Sequence, residues 1–327
     1  MVRKYFDGWG LWILLAGMGW FGTLWAEQQE SRVCLAYFLS QEMERARATC
    51  QPLAEEKNDP AAHFVMGTLW ENGAVLPRDL QKALHHYTLA AEAGRPEAQY
   101  NLGVFYQRGR GVNQDPDVAQ IWFARSAEQG FAPAMHNLAS LLPPSQARVW
   151  YQRAATAGYT PAMNNLAQLL SQLPGRDKPS AENLAEAVTW WRRGAEKGDG
   201  ESAFWLALAL LDGRGTPADP VQARNWLEKA AAQGSADAHL ILGRIYRSGQ
   251  GVARDEQKSM DHLRQAAEKG LAPAQYNLGL LLLTASPHLA NREEAMRWLD
   301  RSGQSGFPPA VAMLERLKSG HPVQPGP

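Results

Sequence analysis

The sequence predicts an all-α protein, a right-handed solenoid of about seven to eight helix-turn-helix repeats of roughly 36 residues. Three observations predict it: a closing small residue recurs at a fixed step, alanine and aromatic residues keep a fixed distance from it, and Gly-x-Gly turns separate two helical patterns. The closing residues are Asn58, Gly94, Gly130, Gly158, Gly198, Gly234, Gly270 and Gly306. Five of the seven intervals between them are 36 residues, and the other two are 28 and 40. Such a period is typical of helical hairpins that share one continuous core.

The charge composition argues against nucleic-acid binding. The chain of 327 residues carries 33 basic and 33 acidic residues, so its formal net charge is zero. No run of like charge forms the positive stripe that sequence-independent binding to nucleic acid needs. We therefore expect partners of another kind.

The first 26 residues have the order of a secretory signal peptide. Arg3 and Lys4 precede an apolar stretch over residues 11–25, and polar residues follow Ala26. Cleavage after Ala26 would place the mature chain in the periplasm or outside the cell. The alternative is an uncleaved inner-membrane anchor, because the stretch is near the lower length limit for a span. Both interpretations place the repeats in an exported compartment.

The two cysteines of the chain, Cys34 and Cys50, both lie in the first hairpin, residues 27–58. Helical patterns over residues 31–39 and 44–57 place each cysteine about eight residues from the turn between them. The two side chains then stand at one height on antiparallel helices, as a disulfide requires. Closing this loop would stabilise the terminal hairpin by about 3 kcal/mol. A pair of buried free thiols is the alternative.

The copy after Gly94 shows how each repeat is built. Pro96 suits the first turn of a helix, the Gly-x-Gly segment 109–111 supplies a turn, and Asp115 caps a second helix. Gly130 then ends that helix. The predicted segments after the first hairpin are repeats over residues 59–306, a C-terminal capping helix over 307–318 and a disordered tail over 319–327.

A tryptophan slot stands eight residues before the closing glycine of most copies. It is filled by Trp122, Trp150, Trp190, Trp226 and Trp298, with Cys50 and His262 in two other copies. Small pairs such as Ala90-Ala91 follow the slot and let helices approach closely. We therefore predict that the tryptophans belong to the buried core, where truncation to Ala would cost about 3–5 kcal/mol. The alternative makes them stacking platforms for a sugar or a peptide.

Four motifs recur together in the copies. They are N-L-G-x-x-Y over residues 101–106, G-x-G-V over 109–112 and again over 249–252, D-x-x-x-A and A-A-x-x-G. They resemble the Sel-one-like repeat, a relative of the tetratricopeptide repeat, and the resemblance covers residues 31–318. It implies an α-solenoid adaptor, and exported bacterial members of the family are associated with envelope assembly, secreted polysaccharide, signalling and host interaction.

The sequence contains no H-E-x-x-H, Cys-x-x-Cys or G-x-S-x-G motif that would indicate catalysis or a metal site. His85 and His86 are neighbours on a helix and cannot share a face, so we expect them to be exposed or at the rim of the core rather than metal ligands. Further histidines are scattered one to a hairpin with no common spacing: His63, His136, His239 and His262. We therefore expect neither an enzyme nor a cofactor or metal site.

A polar stripe along the first helix of each copy is the candidate partner-binding surface. Positions three, seven, ten and fourteen after the closing residue share one helix face, which lines the concave surface in tetratricopeptide-like relatives. With neighbouring positions, the candidates are Tyr100, Asn101, Gln107, Arg108, His136, Asn137, Asn165, Phe204, Arg244, Arg247, Tyr276 and Asn277. Asparagine, arginine and aromatic side chains suit an extended peptide with a carboxylate. The alternative is that the asparagines bond across adjacent repeats and fix the stack.

These features predict a non-catalytic protein-interaction scaffold in the bacterial cell envelope, with a protein or peptide partner in the concave groove. An alternative is a carbohydrate-binding adaptor in polysaccharide or peptidoglycan assembly, which groove aromatics such as Tyr100, Phe204 and Tyr276 would favour. A cell-wall hydrolase or β-lactam-binding enzyme is the contrasting class, and it would need a nucleophile and a base in one pocket. We expect contact with a membrane only through the N-terminal segment.

Overall fold

The protein is an all-α repeat protein of the solenoid class, as the sequence predicts. The computed structural model describes residues 29–172, 179–284 and 291–319, and no strand occurs within these ranges. The predicted signal segment, and all but the first residue of the predicted tail, lie outside them. The helices are α1, helical over 29–39, α2 (Met43–Lys57), α3 (Pro60–Asn72), α4 (Leu80–Glu92), α5 (Pro96–Arg108), α6 (Pro116–Glu128), α7 (Ala132–Ser140), α8 (Pro144–Thr156), α9 (Thr160–Ser171), α10 (Ala181–Glu196), α11 (Gly200–Asp212), α12 (Pro220–Ala232), α13 (Ala236–Ser248), α14 (Glu256–Glu268), α15 (Ala272–Thr284), α16 (Arg292–Gln304) and α17 (Pro308–Lys318).

The helices belong to two compact units, Met1–Ala157 and Gly158–Pro327. From α3 onward, each copy pairs an odd-numbered helix, termed the A helix, with the even-numbered B helix that follows it. Within each unit every B helix also packs against the A helix of the next copy. Neighbours in the chain are therefore neighbours in space, as a solenoid requires. Of the helices in the described ranges, none is both long and apolar enough to cross a bilayer.

Capping side chains and closing residues set the helix ends. The Asp115 carboxylate accepts hydrogen bonds from the backbone N–H groups of Asp117 and Val118 at 3.1 and 3.0 Å, and so caps α6. Gly130 has a φ of 91°, the left-handed conformation that ends a helix without a Cβ clash. Asn58, which closes the first hairpin, has a φ of 51°, and asparagine tolerates this conformation better than most residues.

The A and B helices of a hairpin cross at one small residue of the A helix. A Cβ atom at Gly103 would lie 2.5 Å from the ring of Phe123 on the B helix. The same approach joins Gly67 to Tyr87, Gly243 to Leu263 and Gly279 to Leu299, each with a hypothetical distance of 2.7 Å. In the other copies the A-helix position holds a buried alanine: Ala139, Ala167 and Ala207. A small residue therefore sets how closely the helices pack, and a large residue opposite fills the remaining space.

The prediction that the tryptophan slot is buried core is wrong for three of its five tryptophans. Trp122, Trp150 and Trp226 are only partly buried, whereas Trp190 and Trp298 are 7% and 8% exposed. From the copy that closes at Gly94 onward, the position that is always buried is the next residue of the B helix, which faces the crossing. It holds Tyr87, Phe123, Tyr151, Trp191, Leu227, Leu263 and Leu299. In the first hairpin this residue is the half-buried Gln51.

Each slot tryptophan lies beside a cation from the next turn of its helix. The Arg125 guanidinium lies 4.7 Å from the ring centroid of Trp122, and Lys229 Nζ lies 3.8 Å from that of Trp226. Arginines cover the other three rings in the same way. Successive side chains of a helix differ in direction by about 100°. Because the residue after the slot faces the crossing, the slot tryptophan lies to one side of it, where a cation–π contact shields the ring. Truncation of Trp122 should therefore cost less than truncation of a core residue.

The first hairpin carries the predicted disulfide. Cys34 of α1 and Cys50 of α2 are bonded with Cα atoms 5.2 Å apart, and both side chains are fully buried. They belong to one core cluster with Val65 and Met66 of α3, so the bonded hairpin packs directly on the first repeat. The segment predicted as a C-terminal capping helix contains α17, which packs against α16.

Replacing Gly103 with alanine should lower the free energy of unfolding by about 1–3 kcal/mol, because the added methyl group would force the Phe123 ring to move. Thermal unfolding followed by circular dichroism measures the change. Gly303→Ala is the matched control: Gly303 lies inside α16, and the nearest atom to its added methyl group would be the flexible Leu314 Cδ1 at 3.1 Å. The helix propensity of alanine should there leave stability unchanged or raise it by up to about 1 kcal/mol. Equal destabilisation by the two substitutions would contradict the close crossing.

Candidate functional site

A continuous groove runs along the A helices of the second unit. It consists of three adjoining cavities of about 220, 290 and 670 Å³, which we name the narrow, middle and wide cavities. The narrow and middle cavities share Leu208 and Asp212, and the middle and wide cavities share Arg244 and Ser248. These four residues stand ten and fourteen residues after their closing glycines, which are positions of the predicted stripe. We call this surface the unit 2 groove.

The wide cavity gathers three of the predicted site residues, Arg244, Arg247 and Asn277. Arg254 joins them from the loop after α13, where its Nε donates a hydrogen bond to the backbone carbonyl of Arg247 at 3.0 Å. Glu256 is the only acidic residue among the described residues of the lining, where arginine is therefore in excess. Guanidinium groups beside an amide suit recognition of a carboxylate together with a peptide group.

Two stacked tryptophans line the narrow cavity. The rings of Trp191 on α10 and Trp205 on α11 are 6.1 Å apart between centroids and inclined by 16°. The Nε1 atom of Trp191 is buried and has no hydrogen-bond partner among the described residues. Ser171 and Arg214 line the same cavity. None of these four residues is among the predicted site residues, because the sequence of one copy does not show that a position faces a cavity. Comparing equivalent positions between copies would have identified them.

The other predicted residues of the second unit do not line the groove. Phe204 lines a fourth cavity of about 550 Å³ together with three acidic residues, and this cavity shares only the Trp205 side chain with the described lining of the narrow cavity. Asn165 and Tyr276 line none of these four cavities. The structure therefore brings together half of the residues predicted for this unit.

The predicted residues of the first unit contact other side chains of the hairpin stack. The Asn101 side chain lies beside the hydroxyl group of Tyr87 in the preceding copy. His136 Nδ1 lies 3.1 Å from Asn137 Oδ1 on the same helix. The remaining predicted residues of this unit lie on α5: Tyr100, Gln107 and Arg108. The Asn101 contact supports the alternative interpretation, in which an asparagine holds adjacent copies together.

Two histidine pairs recur at equivalent positions in the two units, so the prediction that the histidines have no common spacing is wrong. His63 Nδ1 lies 2.9 Å from His86 Nδ1, and His239 Nδ1 lies 3.0 Å from His262 Nδ1, with partners 23 residues apart in both. His85 is exposed and His86 is half-buried. Because one ring donates and the other accepts, the accepting ring must be neutral. In the described ranges, no group of three or more His, Cys, Asp or Glu side chains is placed to hold a metal ion.

The surroundings of both pairs favour the neutral imidazole. Burial, followed by repulsion from His63, lowers the pKa of His86 to about 4. Burial, followed by repulsion from His239, likewise lowers the pKa of His262. In the unfolded chain the ordinary histidine pKa is about 6.5, so below that pH the unfolded state binds more protons than the folded state. The pairs therefore contribute stability at neutral pH that is lost as the pH falls from about 6.5 toward about 4.

Stacked A and B helices with a groove along the A helices define an α-solenoid repeat protein. The sequence model of the Sel1 repeat matches seven segments in tandem, residues 60–94, 96–131, 132–159, 160–199, 200–235, 236–271 and 272–307. These segments make up most of the chain. The chain therefore belongs to the Sel1 repeat family.

Two solved structures are similar over much of the chain. The crystal structure of a protective antigen present in uropathogenic Escherichia coli strains, which displays an SLR fold, is 29% identical with a TM-score of 0.79, and the match covers 91% of this chain and 65% of that chain. The crystal structure of a Sel1 repeat protein from Oxalobacter formigenes is 29% identical with a TM-score of 0.63, covering 72% of this chain and 96% of that chain. No curated protein matches the sequence.

Acidification from about pH 7.5 to 4.5 should lower the melting temperature, and the double variant His63→Gln/His239→Gln should show a smaller decrease. Glutamine fits this position, because Gln99 occupies it in another copy and donates a hydrogen bond to the Ala91 carbonyl at 3.1 Å. Thermal unfolding measured across this pH range tests the effect. His85→Gln, which removes an exposed imidazole outside the pairs, is the control and should keep most of the pH dependence. The same pH dependence in wild type and double variant would refute the role of the pairs.

Proposed function

We propose that the protein is a non-catalytic scaffold that binds a partner protein in the bacterial cell envelope, and that the unit 2 groove holds an extended segment of this partner. The observation that carries the proposal is the continuity of the three cavities, which share residues from one end to the other. The wide cavity, at about 670 Å³, lies within the size range of ligand sites. A row of small cavities suits successive side chains of an extended peptide better than one compact ligand.

The lining fits a peptide of acidic and apolar character. Arg244, Arg247 and Arg254 supply guanidinium groups in the wide cavity. Leu208 and Ile241 supply apolar surface in the middle cavity. A guanidinium–carboxylate pair can form two parallel hydrogen bonds, which fix orientation as well as affinity. The groove therefore favours an extended segment that carries both acidic and apolar side chains.

The groove is better suited to binding than to covalent chemistry. Within the described residues, its three cavities are lined by no histidine or cysteine. Ser171 and Ser248 do line it, but their hydroxyl groups donate to the backbone carbonyls of Gln168 at 2.9 Å and Ile245 at 3.3 Å. A serine nucleophile needs a base that takes its proton, and neither hydroxyl is hydrogen-bonded to a base in the part of the chain that the structure describes.

The disulfide supports an exported location. The Cys34–Cys50 bond would persist in an oxidising compartment such as the periplasm, whereas reducing cytosol disfavours disulfides. The predicted signal segment over residues 1–26 agrees with this location. A relative described as a protective antigen in uropathogenic E. coli is also consistent with export.

The alternative function, a carbohydrate-binding adaptor, is less well supported by the ring contacts. It needs aromatic rings with a free face on which a sugar can stack. The Tyr100 ring packs against Phe123 and Phe131 at 5.9 and 5.4 Å between centroids, and the Tyr276 ring packs against Phe307 at 5.6 Å. The Phe204 ring packs against Trp205 at 5.5 Å between centroids, so all three rings on which the alternative depends are engaged by neighbouring rings.

The double variant Arg244→Ala/Arg247→Ala should weaken partner binding at least about tenfold, because it removes two guanidinium groups that can pair with carboxylates. The partner is isolated by crosslinking from the envelope fraction, and its affinity is then measured by isothermal titration calorimetry. Arg297→Ala/Arg316→Ala is the matched control, since it removes the same charge from two exposed side chains outside the groove. Melting curves show whether each variant folds. Equal affinities of the two folded double variants would refute the groove as the binding site.

A further inference from the structure

A hydrogen-bonded network in the first unit shows what fills the space that corresponds to the narrow cavity. The Tyr87 hydroxyl donates a hydrogen bond to Glu71 Oε2 at 2.6 Å, and Arg110 Nη1 donates to Glu71 Oε1 at 2.5 Å. The side chains of Glu71 and Arg110 are only 17% and 27% exposed. The Glu71 carboxylate thus connects the B helix of its own copy with the loop of the next copy.

The three positions of this network have equivalents in the second unit when residues are counted from the closing residues, with Gly158 in place of Asn58 and Gly198 in place of Gly94. Trp191 corresponds to Tyr87, Arg214 to Arg110 and Ser171 to Glu71. The second unit therefore keeps a donor on the B helix and a guanidinium in the loop, but it lacks the carboxylate between them.

The loop that carries the arginine lies in the same place in both units. A Cβ atom at Gly111 would lie 2.9 Å from Leu80 Cβ, and a Cβ atom at Gly215 would lie 2.4 Å from the Leu184 carbonyl oxygen. Leu80 and Leu184 both stand fourteen residues before the closing glycine of their copies. Because each loop packs on the equivalent residue of the preceding copy, the backbone of Arg214 lies where the backbone of Arg110 lies in the first unit.

The space where the second unit lacks this carboxylate is lined by donors without partners. The narrow cavity has a volume of about 220 Å³ and is lined by Ser171, Trp191 and Arg214. Trp191 is 6% exposed, yet its Nε1 has no hydrogen-bond partner among the described residues, although a buried indole N–H normally has one. The Arg214 side chain forms no ion pair within the described part of the chain. The Ser171 hydroxyl supplies no acceptor charge and bonds to its own helix.

We propose that the narrow cavity binds a carboxylate from outside the chain, which takes the place that Glu71 has in the first unit. The Trp191 indole N–H and the Arg214 guanidinium donate hydrogen bonds to the carboxylate, and the Trp205 ring packs on the methylene groups beside it. A volume of about 220 Å³ accepts a glutamate side chain, a chain terminus or a short free acid, and it is too small for a larger organic ligand. This inference rests on the proposed function, because it names the chemistry recognised at one end of the unit 2 groove.

Among the described residues that line the narrow cavity, Asp212 carries the one acidic group, and its side chain is exposed. Its charge repels a bound carboxylate and attracts Arg214. Replacing Asp212 with asparagine should therefore tighten carboxylate binding, whereas replacing Arg214 with glutamine should weaken it at least about tenfold.

The first experiment supplies the carboxylate within the chain. Ser171→Glu puts a glutamate at the position of Glu71 and should raise the melting temperature by about 2 °C through a pair with Arg214. Ser171→Gln is the matched control, since it adds the same volume without the charge. Melting of the glutamate variant at or below that of the glutamine variant would overturn the proposal. This measurement needs no partner. It can therefore overturn the carboxylate site in the narrow cavity while the proposed partner binding at Arg244 and Arg247 remains supported.

The second experiment measures binding to the intact protein through the indole N–H resonance of Trp191, which is assigned from its loss in Trp191→Phe. The probes are propionate, the peptide acetyl-Ala-Glu-Ala-amide and the same peptide with glutamine. Binding of the glutamate peptide but not of propionate supports the proposal and indicates that a partner side chain supplies the carboxylate. Binding of both also supports the proposal and indicates that a free acid is sufficient. Ser171→Glu should abolish both responses. An equal response to the glutamine peptide, or no response to any probe, would overturn the proposal.

Discussion

The close crossing of A and B helices at a small residue is the constraint on which the rest of the structure depends. At Gly103 a Cβ atom would lie 2.5 Å from the Phe123 ring, so the backbone of one helix lies directly against the side chain of the other. This contact fixes the rotation of each A helix about its axis. The positions ten and fourteen residues after the closing glycine then fall outside the crossing. Because the crossing recurs in successive copies, these positions form one continuous groove in the second unit.

A repeated scaffold of this kind can gain a binding site by losing one side chain. In the first unit Glu71 satisfies both Tyr87 and Arg110, and the carboxylate is used within the fold. In the second unit the equivalent position is Ser171, and the two donors around it are without an acceptor in the described residues. The rest of the hairpin does not need to change, since helix packing depends on the crossing and not on this polar contact.

Local sequence patterns predicted most of the fold, because helix ends and turns depend on residues near in the chain. The closing residues, the Cys34–Cys50 bond and α17 are of this kind. Burial of the tryptophan slot was predicted less well, since consecutive side chains of a helix point in different directions and only the residue after the slot faces the crossing. The histidine pairs were missed because each joins an A helix to a B helix 23 residues away. In the site, the positions of the polar stripe included Arg244 but not Trp191. Trp191 matters because Ser171 beside it lacks the carboxylate that Glu71 supplies in the first unit.

Hydrogen–deuterium exchange of the protein with and without its bound partner tests the central claim most directly, because the amides of an occupied groove open less often. We expect slower exchange in α11, α13 and α15 on binding, with little change in α12, whose residues line none of the three cavities. Slower exchange confined to the B helices, or to the first unit, would contradict a partner held along the A helices of the second unit.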